Sequence, residues 1–397
     1  MKRLTLLLLG LALGVASTAS AQGLTMQMSN GWSFSFSGNV NAFWSYTKVN
    51  NSGPGNSSVR TGLLPAFATF SASGKEAGLN LGIHFGFAPQ INNSGVHDNF
   101  GNGTQAGAQI DMRQVYLTIG LKDGSQILAG RELGLFGRQN ILNDMTLFGL
   151  GAVGIGGGQG AGTTLGRIGY GYIYPNFVAQ LTYSTKPGEA QFSIGAFQPS
   201  VLSGTAYGIT QIPRAEAEFT YNQKSGKNSY NFWVGGLWQT TKNAPTGGNS
   251  VSSIGGTAGV KAGLSDLSVV VSGYIGKGLG TLLMFTSGGS VAANGTDLRK
   301  SDGGYAQVMY KVGPKTNVGF SWGFSRLVND QTGDGNTNVR SNLYSYTVGI
   351  YHQWTKSLKF VVEGTEEGTT GETAGIFAGL PPGTKQTDIG AGFMLFY

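Results

Sequence analysis

The strongest constraint on the fold is an alternation of apolar and polar residues that repeats along almost the whole chain. Between positions 33 and 46 the even residues are mostly apolar and include Phe34, Phe36 and Trp44, whereas the odd residues are mostly serine and asparagine. A period of two residues is that of a β-strand with one face in apolar surroundings and the other in water. The same alternation recurs at 79–88, 214–221 and 317–325. The chain is therefore predicted to consist largely of amphipathic β-strands.

The residue types on the two faces favour a membrane barrel over a soluble sheet. The polar face is built from Ser, Gly, Asn and Thr rather than Lys and Glu, and only 11% of the 397 residues are charged. Aromatic residues occur near segment ends, where a barrel places its interfacial girdles: Trp44, Tyr46, Trp238, Tyr344 and Trp354. Strands can cross lipid only as a closed sheet, because every backbone N–H and C=O must be paired there. The predicted fold class is all-β, a transmembrane antiparallel β-barrel.

The first residues have the pattern of a secretory signal peptide. Two basic residues precede an apolar stretch that ends near position 16, and small residues follow at 19–21. We therefore expect residues 1–21 to be a signal peptide and residues 22–397 to form the barrel. Without the signal peptide, 24 basic residues oppose 19 acidic ones, a net charge of +5 that is too small to indicate nucleic-acid binding. The chain has no cysteine, which excludes disulfides and thiolate chemistry.

Sixteen strand segments are predicted between residue 33 and the end of the chain, and one of them is at 60–73. Short connections alternate with long ones rich in Gly, Asn and Ser, as expected when one end of a barrel carries tight periplasmic turns and the other carries outer loops. One join is open, because the alternation between 166 and 184 shifts at Pro175. This stretch is either two strands with a turn or one strand, at 172–185, entered after a bulge. An even strand count favours the single strand, since both chain ends then lie on the periplasmic side.

Two stretches resemble a known family. The last ten residues alternate and end in an aromatic residue, and they resemble the terminal strand that the outer-membrane assembly machinery recognises, with Phe393, Leu395 and Tyr397 as the signal. The series Arg113-Gln-Val-Tyr116, Gly120-Leu121 and Gly130-Arg131 is similar to one in the general porins of Gram-negative bacteria, which are trimeric 16-stranded outer-membrane barrels. The resemblance implies a channel for small solutes in the outer membrane.

The resemblance also implies a constriction. In that family the third outer loop folds into the barrel and narrows it, and the matching loop here is at about 135–170. The residues that match or accompany the constriction are four arginines and two carboxylates: Arg113, Arg131, Arg138, Arg167, Glu132 and Asp144. Because the positive charges outnumber the negative ones, we expect a weak preference for anions. The alternative is that some of these arginines pair with carboxylates or carbonyls and brace the loop or a trimer contact.

Alternation alone places further charged residues on the face toward the lumen. They are Arg214, Glu216, Glu218, Lys261, Lys311, Lys359 and Glu363. Their mixed sign is typical of a hydrated pore lining.

Several motifs are better explained as parts of a barrel. Gly149 to Gly154 matches the spacing of a dinucleotide fingerprint but lacks the buried strand, the helix and the acidic residue that the motif needs. Residues 330–341 imitate a calcium loop but have Ser341 where the loop needs glutamate. The three histidines are distributed so that they do not converge on an activated serine. No catalytic site, metal site or cofactor is predicted.

The predicted function is passive diffusion of ions and small hydrophilic solutes through an outer-membrane porin. The alternative is a substrate-specific porin for one solute class, such as sugars or organic anions. Aromatic residues do fall on the inward face, but they are scattered over many strands: Phe43, Phe67, Tyr274, Tyr305 and Tyr351. The expected partners are outer-membrane lipid, the transported solutes, the assembly machinery and two further copies of the chain, with no nucleic acid.

Overall fold

The fold is known from a computed structural model. It describes residues 23–91, 110–156, 162–202, 207–243, 249–285, 289–328, 333–334, 340–371 and 380–397. The predicted signal peptide and the histidine at position 97 lie outside these residues.

Eighteen β-strands account for most of the described chain. They are β1 (Leu24–Gln27), β2 (Ser33–Val49), β3 (Asn56–Arg60), β4 (Phe67–Glu76), β5 (Leu79–Pro89), β6 (Ile110–Gly120), β7 (Gln126–Leu133), β8 (Phe177–Ser184), β9 (Ala190–Phe197), β10 (Arg214–Ser225), β11 (Asn228–Lys242), β12 (Ser250–Leu264), β13 (Leu267–Lys277), β14 (Lys300–Gly313), β15 (Thr316–Val328), β16 (Arg340–Gln353), β17 (Leu358–Thr369) and β18 (Lys385–Phe396). One α-helix, α1 (Arg138–Leu142), and one 3₁₀ turn (Met145–Phe148) lie between β7 and β8. None of the described helices has the length and hydrophobicity to cross a membrane.

The strands form one closed antiparallel barrel. Each strand pairs with its neighbours in sequence, and β18 pairs with β2 to close the sheet. Both β3 and β4 pair with β2, so they are two parts of one barrel strand, and β1 adds to the start of β2 beyond the end of β18. The barrel therefore has sixteen strands, which confirms the predicted fold class and strand count. Closure removes the free edges that a sheet cannot leave in lipid.

The alternation in the sequence corresponds to the two faces of this barrel. On β2 the side chains of Val40 and Trp44 are 51% and 47% exposed on the outside, whereas Asn41 and Ser45 are each 1% exposed on the inside. Outward apolar side chains cost nothing in lipid, and inward polar ones can meet water or each other. The assignment of the apolar face to the outside is confirmed along the barrel.

The turn between β4 and β5 illustrates the short connections. Ala77 and Gly78 have φ values of 49° and 82°, so both central residues of this two-residue turn are left-handed. Such a turn matches the right-handed twist of the strands it joins.

Two predicted strands differ from the observed ones. The predicted strand at 60–73 is interrupted, because residues 61–66 leave the sheet and are buried in the interior between β3 and β4. The predicted strand at 172–185 starts five residues late, at Phe177, after Asn176 takes a left-handed φ of 58°. The single-strand interpretation of this stretch is correct, but the residues before Pro175 do not belong to the wall.

Two segments pack against the inner face of the sheet. We call residues 134–156 and 162–176 the inner segment, and residues 278–285 and 289–299 the second inner segment. Their apolar side chains form two buried clusters together with inward residues of the wall, such as Phe43, Trp233 and Tyr305 in one and Leu237 in the other. The core of this protein therefore lies inside the barrel, between the wall and these segments.

Candidate functional site

The inner segment reaches strands that are far from β7 and β8, where it begins and ends. On β10, Glu216 Oε2 accepts a hydrogen bond from the backbone of Phe136 at 2.9 Å. Further across, Asn140 Nδ2 donates to Thr257 of β12 at 3.0 Å. The backbone N–H of Met145 donates to Gln307 of β14 at 2.6 Å. These contacts place the segment across the interior, from the β10 side toward β14 and beyond.

A glutamate on β17 binds the glycine-rich run of the inner segment. Glu363 Oε2 accepts hydrogen bonds from the backbone N–H groups of Leu150 and Gly151, at 2.6 and 2.7 Å. Tyr351 on β16 donates its hydroxyl to the other oxygen of the same carboxylate at 2.5 Å. Consecutive backbone N–H groups that converge on an anion form a nest. The run that resembles a dinucleotide fingerprint thus binds a carboxylate of its own chain.

The next residues of the run meet three polar residues at the same side of the barrel. Gly154 N–H donates to Glu367 at 2.9 Å and Val153 N–H to Asp388 at 3.3 Å. Gln386 Nε2 donates to both carboxylates, at 2.8 and 2.9 Å. Together with the nest, these bonds attach residues 150–154 of the inner segment to β17 and β18.

Arg138 on α1 is the first of the predicted constriction residues. Its Nη2 lies 2.5 Å from Oε1 of Glu218, and the two side chains are 16% and 4% exposed. Gln139 Nε2 donates to the same oxygen of Glu218 at 3.1 Å. Burial lowers the pKa of Arg138, but the charge and hydrogen bond of Glu218 together with the charges of Glu132 and Glu216 outweigh it, so the pKa lies above its usual value. The guanidinium is therefore a permanently charged group that Glu218 largely neutralises.

Arg167, another predicted constriction residue, is completely buried. Its guanidinium donates to the hydroxyl and the carbonyl of Ser321 on β15, at 2.7 and 2.5 Å. It donates to the same two groups of Ser345 on β16, both at 2.8 Å. Four neutral acceptors take up four of its five N–H donors, and the side chain braces the inner segment against the wall.

Asp144 caps the 3₁₀ turn of the inner segment. Its carboxylate accepts bonds from the backbone and hydroxyl of Thr146, at 2.9 and 2.7 Å, and from the hydroxyl of Tyr172 at 2.8 Å. Burial raises the pKa of Asp144, and the charge of Arg167 and these hydrogen bonds act in the opposite direction. Among the described residues, its side-chain hydrogen bonds are all within the inner segment, so they stabilise the fold of that segment.

Arg113 lies at an irregularity of β6. The register of β5 and β6 shifts so that Gly86 faces Gln114 and Phe87 faces Met112, which leaves Arg113 as an extra residue. Such a bulge breaks the strict alternation and redirects a side chain. The guanidinium forms an ion pair with Asp111 at 2.9 Å and donates to the hydroxyl of Tyr174 in the inner segment at 3.3 Å.

Glu132 and Arg131 lie on opposite faces of β7. Glu132 is 6% exposed and accepts a hydrogen bond from Gln114 on the inner face at 2.8 Å. The register pairs Arg131 with Val115 of β6 and with Ala179 of β8. Because neighbouring residues of a strand point to opposite faces, these two predicted constriction residues do not lie on the same face of the barrel wall.

The predicted pore-lining residues fall into two groups. Those on β10 and β17 are buried next to the two inner segments: Arg214, Glu216, Glu218 and Glu363 are each at most 4% exposed. Arg214 also pairs with Glu216 at 2.7 Å. The second group consists of the three lysines Lys261, Lys311 and Lys359.

These three lysines face the lumen near the periplasmic ends of their strands. Each has the parity of buried inward neighbours, such as Thr257 for Lys261 and Gln307 for Lys311. Lys311 is exposed, and the other two are partly exposed. In the described part of the chain none of the three forms an ion pair. Their charges are therefore available to a solute.

The second inner segment was not predicted from the sequence. Leu279 and Phe285 are 0% and 1% exposed and pack against Phe136 of the inner segment. The N–H of Tyr174 donates to the carbonyl of Leu282 at 2.9 Å. A hydrophobic run in a long connection, 279–285, is the signal that could have shown this burial in advance.

The remaining candidate motifs have other roles. Asp334, in the calcium-like loop, binds Arg299 through both oxygens, at 2.7 and 3.0 Å. Most of that loop lies outside the described residues. His84 bonds to Ser71 and Gln114 on the inner face, and His352 bonds to Thr316. Within the described ranges, no group of three or more His, Asp or Glu residues is placed to hold a metal ion.

A family model described as Gram-negative porin matches residues 5–372 of the sequence. The sequence matches no curated protein.

Solved structures of bacterial outer-membrane proteins share the fold. The outer membrane channel DcaP of Acinetobacter baumannii is 14% identical, with a TM-score of 0.65 over 94% of this chain and 99% of that one. The anion-selective porin from Comamonas acidovorans is 13% identical, with a TM-score of 0.62 over 92% and 100%. The trimer form of OmpT from Vibrio cholerae is 12% identical, with a TM-score of 0.54 over 92% and 100%.

Proposed function

Because this chain belongs to the Gram-negative porin family, we propose that it is a water-filled channel for passive diffusion of ions and small hydrophilic solutes, with a weak preference for anions. The family and the closed barrel indicate an outer-membrane channel and favour it over an enzyme. What we propose beyond an outer-membrane channel is passive diffusion and a weak preference for anions.

A difference between inward carboxylates and inward lysines carries the proposal. Six inward carboxylates on β7, β10, β17 and β18 are at most 6% exposed. Each accepts hydrogen bonds from the inner segment, from an arginine or from a neighbouring amide. They are Glu132, Glu216, Glu218, Glu363, Glu367 and Asp388. The lysines at 261, 311 and 359 have no such carboxylate partner among the described residues.

This difference determines the field that a permeating ion meets. A carboxylate whose charge an arginine or converging N–H donors compensate contributes little to the potential of the water-filled space, whereas an unpaired ammonium that faces the water contributes within about 8 to 10 Å at physiological salt. A lumen that presents more positive than negative charge concentrates anions. Salt screens the field, so the preference is weak in concentrated electrolyte. Two of the predicted constriction arginines are less accessible to an ion, since Arg138 is paired with Glu218 and Arg167 is completely buried.

The preference is tested by the zero-current potential of single channels in a KCl gradient. The wild-type protein should give the sign expected for chloride selectivity. Changing Lys261, Lys311 and Lys359 together to glutamine should move the zero-current potential toward cation selectivity. The control is the same triple change at lysines of the outer face or the turns, Lys48, Lys227 and Lys356, which should leave the potential unchanged. A wild-type channel that selects potassium would overturn the anion preference.

Other parts of the proposal concern export and assembly. We propose that residues 1–21 are removed as a signal peptide and that the terminal strand, with Phe393, Leu395 and Tyr397, is read by the assembly machinery. Three copies are proposed to associate in the outer membrane, which is supported by the trimer form of the structurally similar OmpT. The similarity to an anion-selective porin supports the proposed ion preference in the same way.

A further inference from the structure

We propose that Lys359, Phe148 and Phe396 form a binding site, the Lys359 site, for an organic monoanion that carries an aromatic or other apolar group. The proposal rests on the channel function above and names the solute class that such a channel would favour.

The three side chains come together where the inner segment meets the wall. Lys359 is the second residue of β17, and its ammonium lies 4.1 Å from the ring centroid of Phe148, the last residue of the 3₁₀ turn. The ring of Phe396, at the end of β18, is 6.0 Å from the same ammonium. The two rings meet edge to face, with centroids 6.2 Å apart. The ammonium of a wall residue thus lies beside one ring of the inner segment and one ring of the terminal strand.

Lys359 differs from the other cations that lie over aromatic rings, because it has no carboxylate partner among the described residues. Arg113, Arg214 and Arg326 lie 5.4 to 5.8 Å from the ring centroids that they face. Each also forms an ion pair with a carboxylate, at 2.9, 2.7 and 2.6 Å respectively. Lys359 faces two rings but forms no ion pair among the described residues. Its ammonium therefore makes cation–π contacts, but no carboxylate among the described residues balances its positive charge.

The chemistry of such a point selects an amphiphilic anion. A ring attracts an ammonium through its quadrupole but does not neutralise it. An ammonium that is partly removed from water gains more from an anion than a fully hydrated lysine does. Phe148 and Phe396 are both only partly buried, so their free surface can cover an apolar group attached to the anion. A carboxylate on an aryl ring satisfies both parts, whereas chloride satisfies only the first.

The position also fits a solute on its way through the channel. Lys359 lies next to the turn that precedes β17, and Phe396 lies at the opposite end of β18 from the outer loops. In a barrel whose short turns face the periplasm, the site is on the periplasmic side of the inner segment. A bound anion would occupy the path that is left between that segment and the wall.

The test is block of single-channel current by benzoate, with benzamide as the neutral probe of the same shape. Benzoate should reduce the chloride current saturably, and benzamide at equal concentration should not. Changing Lys359 to glutamine should raise the half-blocking concentration of benzoate by about tenfold, the effect of losing one charge-assisted contact. Lys359→Arg should retain the block, and Phe396→Leu should weaken it.

Lys311→Gln is the matched control, because it removes one charge from the same side of the lumen at a residue with no aromatic contact. This variant should shift the zero-current potential but leave the half-blocking concentration within about twofold, since screening weakens a remote charge. Equal loss of benzoate block in Lys359→Gln and Lys311→Gln would overturn the site and leave the anion-preferring channel standing. Absence of any ion current in the wild-type protein would instead refute the channel function itself.

Discussion

Glu218 and Arg138 determine how much charge the inner segment presents to a passing ion. Their ion pair is 2.5 Å long, and the carboxylate is the more deeply buried partner, at 4% against 16% exposure. The guanidinium is therefore the more accessible partner of the pair. Because the opposite charges are close together, their fields largely cancel at a distance, and loss of either one leaves the other uncompensated.

Opposite changes at this pair should have opposite effects on ion preference. Glu218→Gln leaves the positive charge of Arg138 uncompensated and should raise the chloride-to-potassium permeability ratio by about twofold, because a charge in a narrow passage acts through a weakly screened field. Arg138→Gln leaves a buried carboxylate and should lower the ratio. The zero-current potential in a salt gradient measures both. The same shift in both variants would show that loop rearrangement, and not charge, sets the preference.

The inner segment and the two strands that bind it act as one element. Its glycine-rich run places successive N–H groups on Glu363, Glu367 and Asp388. Side chains in the run would obstruct this contact, since a Cβ on Gly149 would lie 2.1 Å from Glu363 Oε1. Glycine is needed there for close approach of the backbone, which explains the composition that resembles a nucleotide-binding loop.

Replacing Glu363 by leucine should loosen the inner segment. The change keeps a similar volume but leaves the N–H groups of Leu150 and Gly151 without their acceptor, at a cost of about 1 to 3 kcal/mol each. We expect larger current fluctuations in the open channel and faster trypsin cleavage after Arg167. The same substitution at Glu366, which lies on the other face of β17, is the control and should change neither. Quiet current in Glu363→Leu would mean that the nest is not what holds the segment.

One glycine in β7 is required by the packing of the strand itself. Gly130 has a φ of 136°, and a Cβ there would lie 2.3 Å from the carbonyl oxygen of Val115 and 2.6 Å from Cα of Tyr116. Gly130→Ala should therefore lower the yield of refolded barrel strongly, since left-handed backbone and overlap both oppose a side chain. At Gly256 in β12 a Cβ would have no other atom within 4 Å, so Gly256→Ala should refold normally. Heat-modifiable migration in gels would compare the two, and equal yields would contradict the steric argument.

The sequence predicts regular elements well and interior contacts poorly, for physical reasons. Alternation reports which face of a strand meets lipid, so the barrel, its closure and its strand number follow from it. Alternation does not register a bulge, so the position of Arg113 needs the structure. Alternation also cannot distinguish an inward charged residue that meets water from one that is buried against another segment. Glu216 and Lys261 are both predicted to face inward, but Glu216 is buried and Lys261 is partly exposed.

At the scale of the whole molecule, the polar residues of the wall serve two separate purposes. Toward the outer loops they bind the inner segments and form a packed core, as Ser321 and Ser345 do with Arg167. Toward the periplasm, the inward lysines Lys261, Lys311 and Lys359 form no ion pair among the described residues. A barrel of this kind is stabilised from the inside, while its outer face remains apolar for lipid or for neighbouring copies.

The exported protein should begin at Gln22. Signal peptidase cuts after small residues at the end of an apolar stretch, and positions 19–21 meet that requirement. Intact mass measurement of the protein from outer membranes should therefore show loss of 21 residues. Recovery of the full 397-residue mass from that fraction would contradict the proposed export signal.

The conductance of the refolded protein in a planar lipid bilayer tests the central claim, a closed and water-filled barrel, most directly. Dilute protein should produce discrete upward current steps of uniform size, carried in excess by chloride when the two sides differ in KCl concentration. A bilayer that stays electrically silent at concentrations where the folded barrel is known to have inserted would contradict the claim.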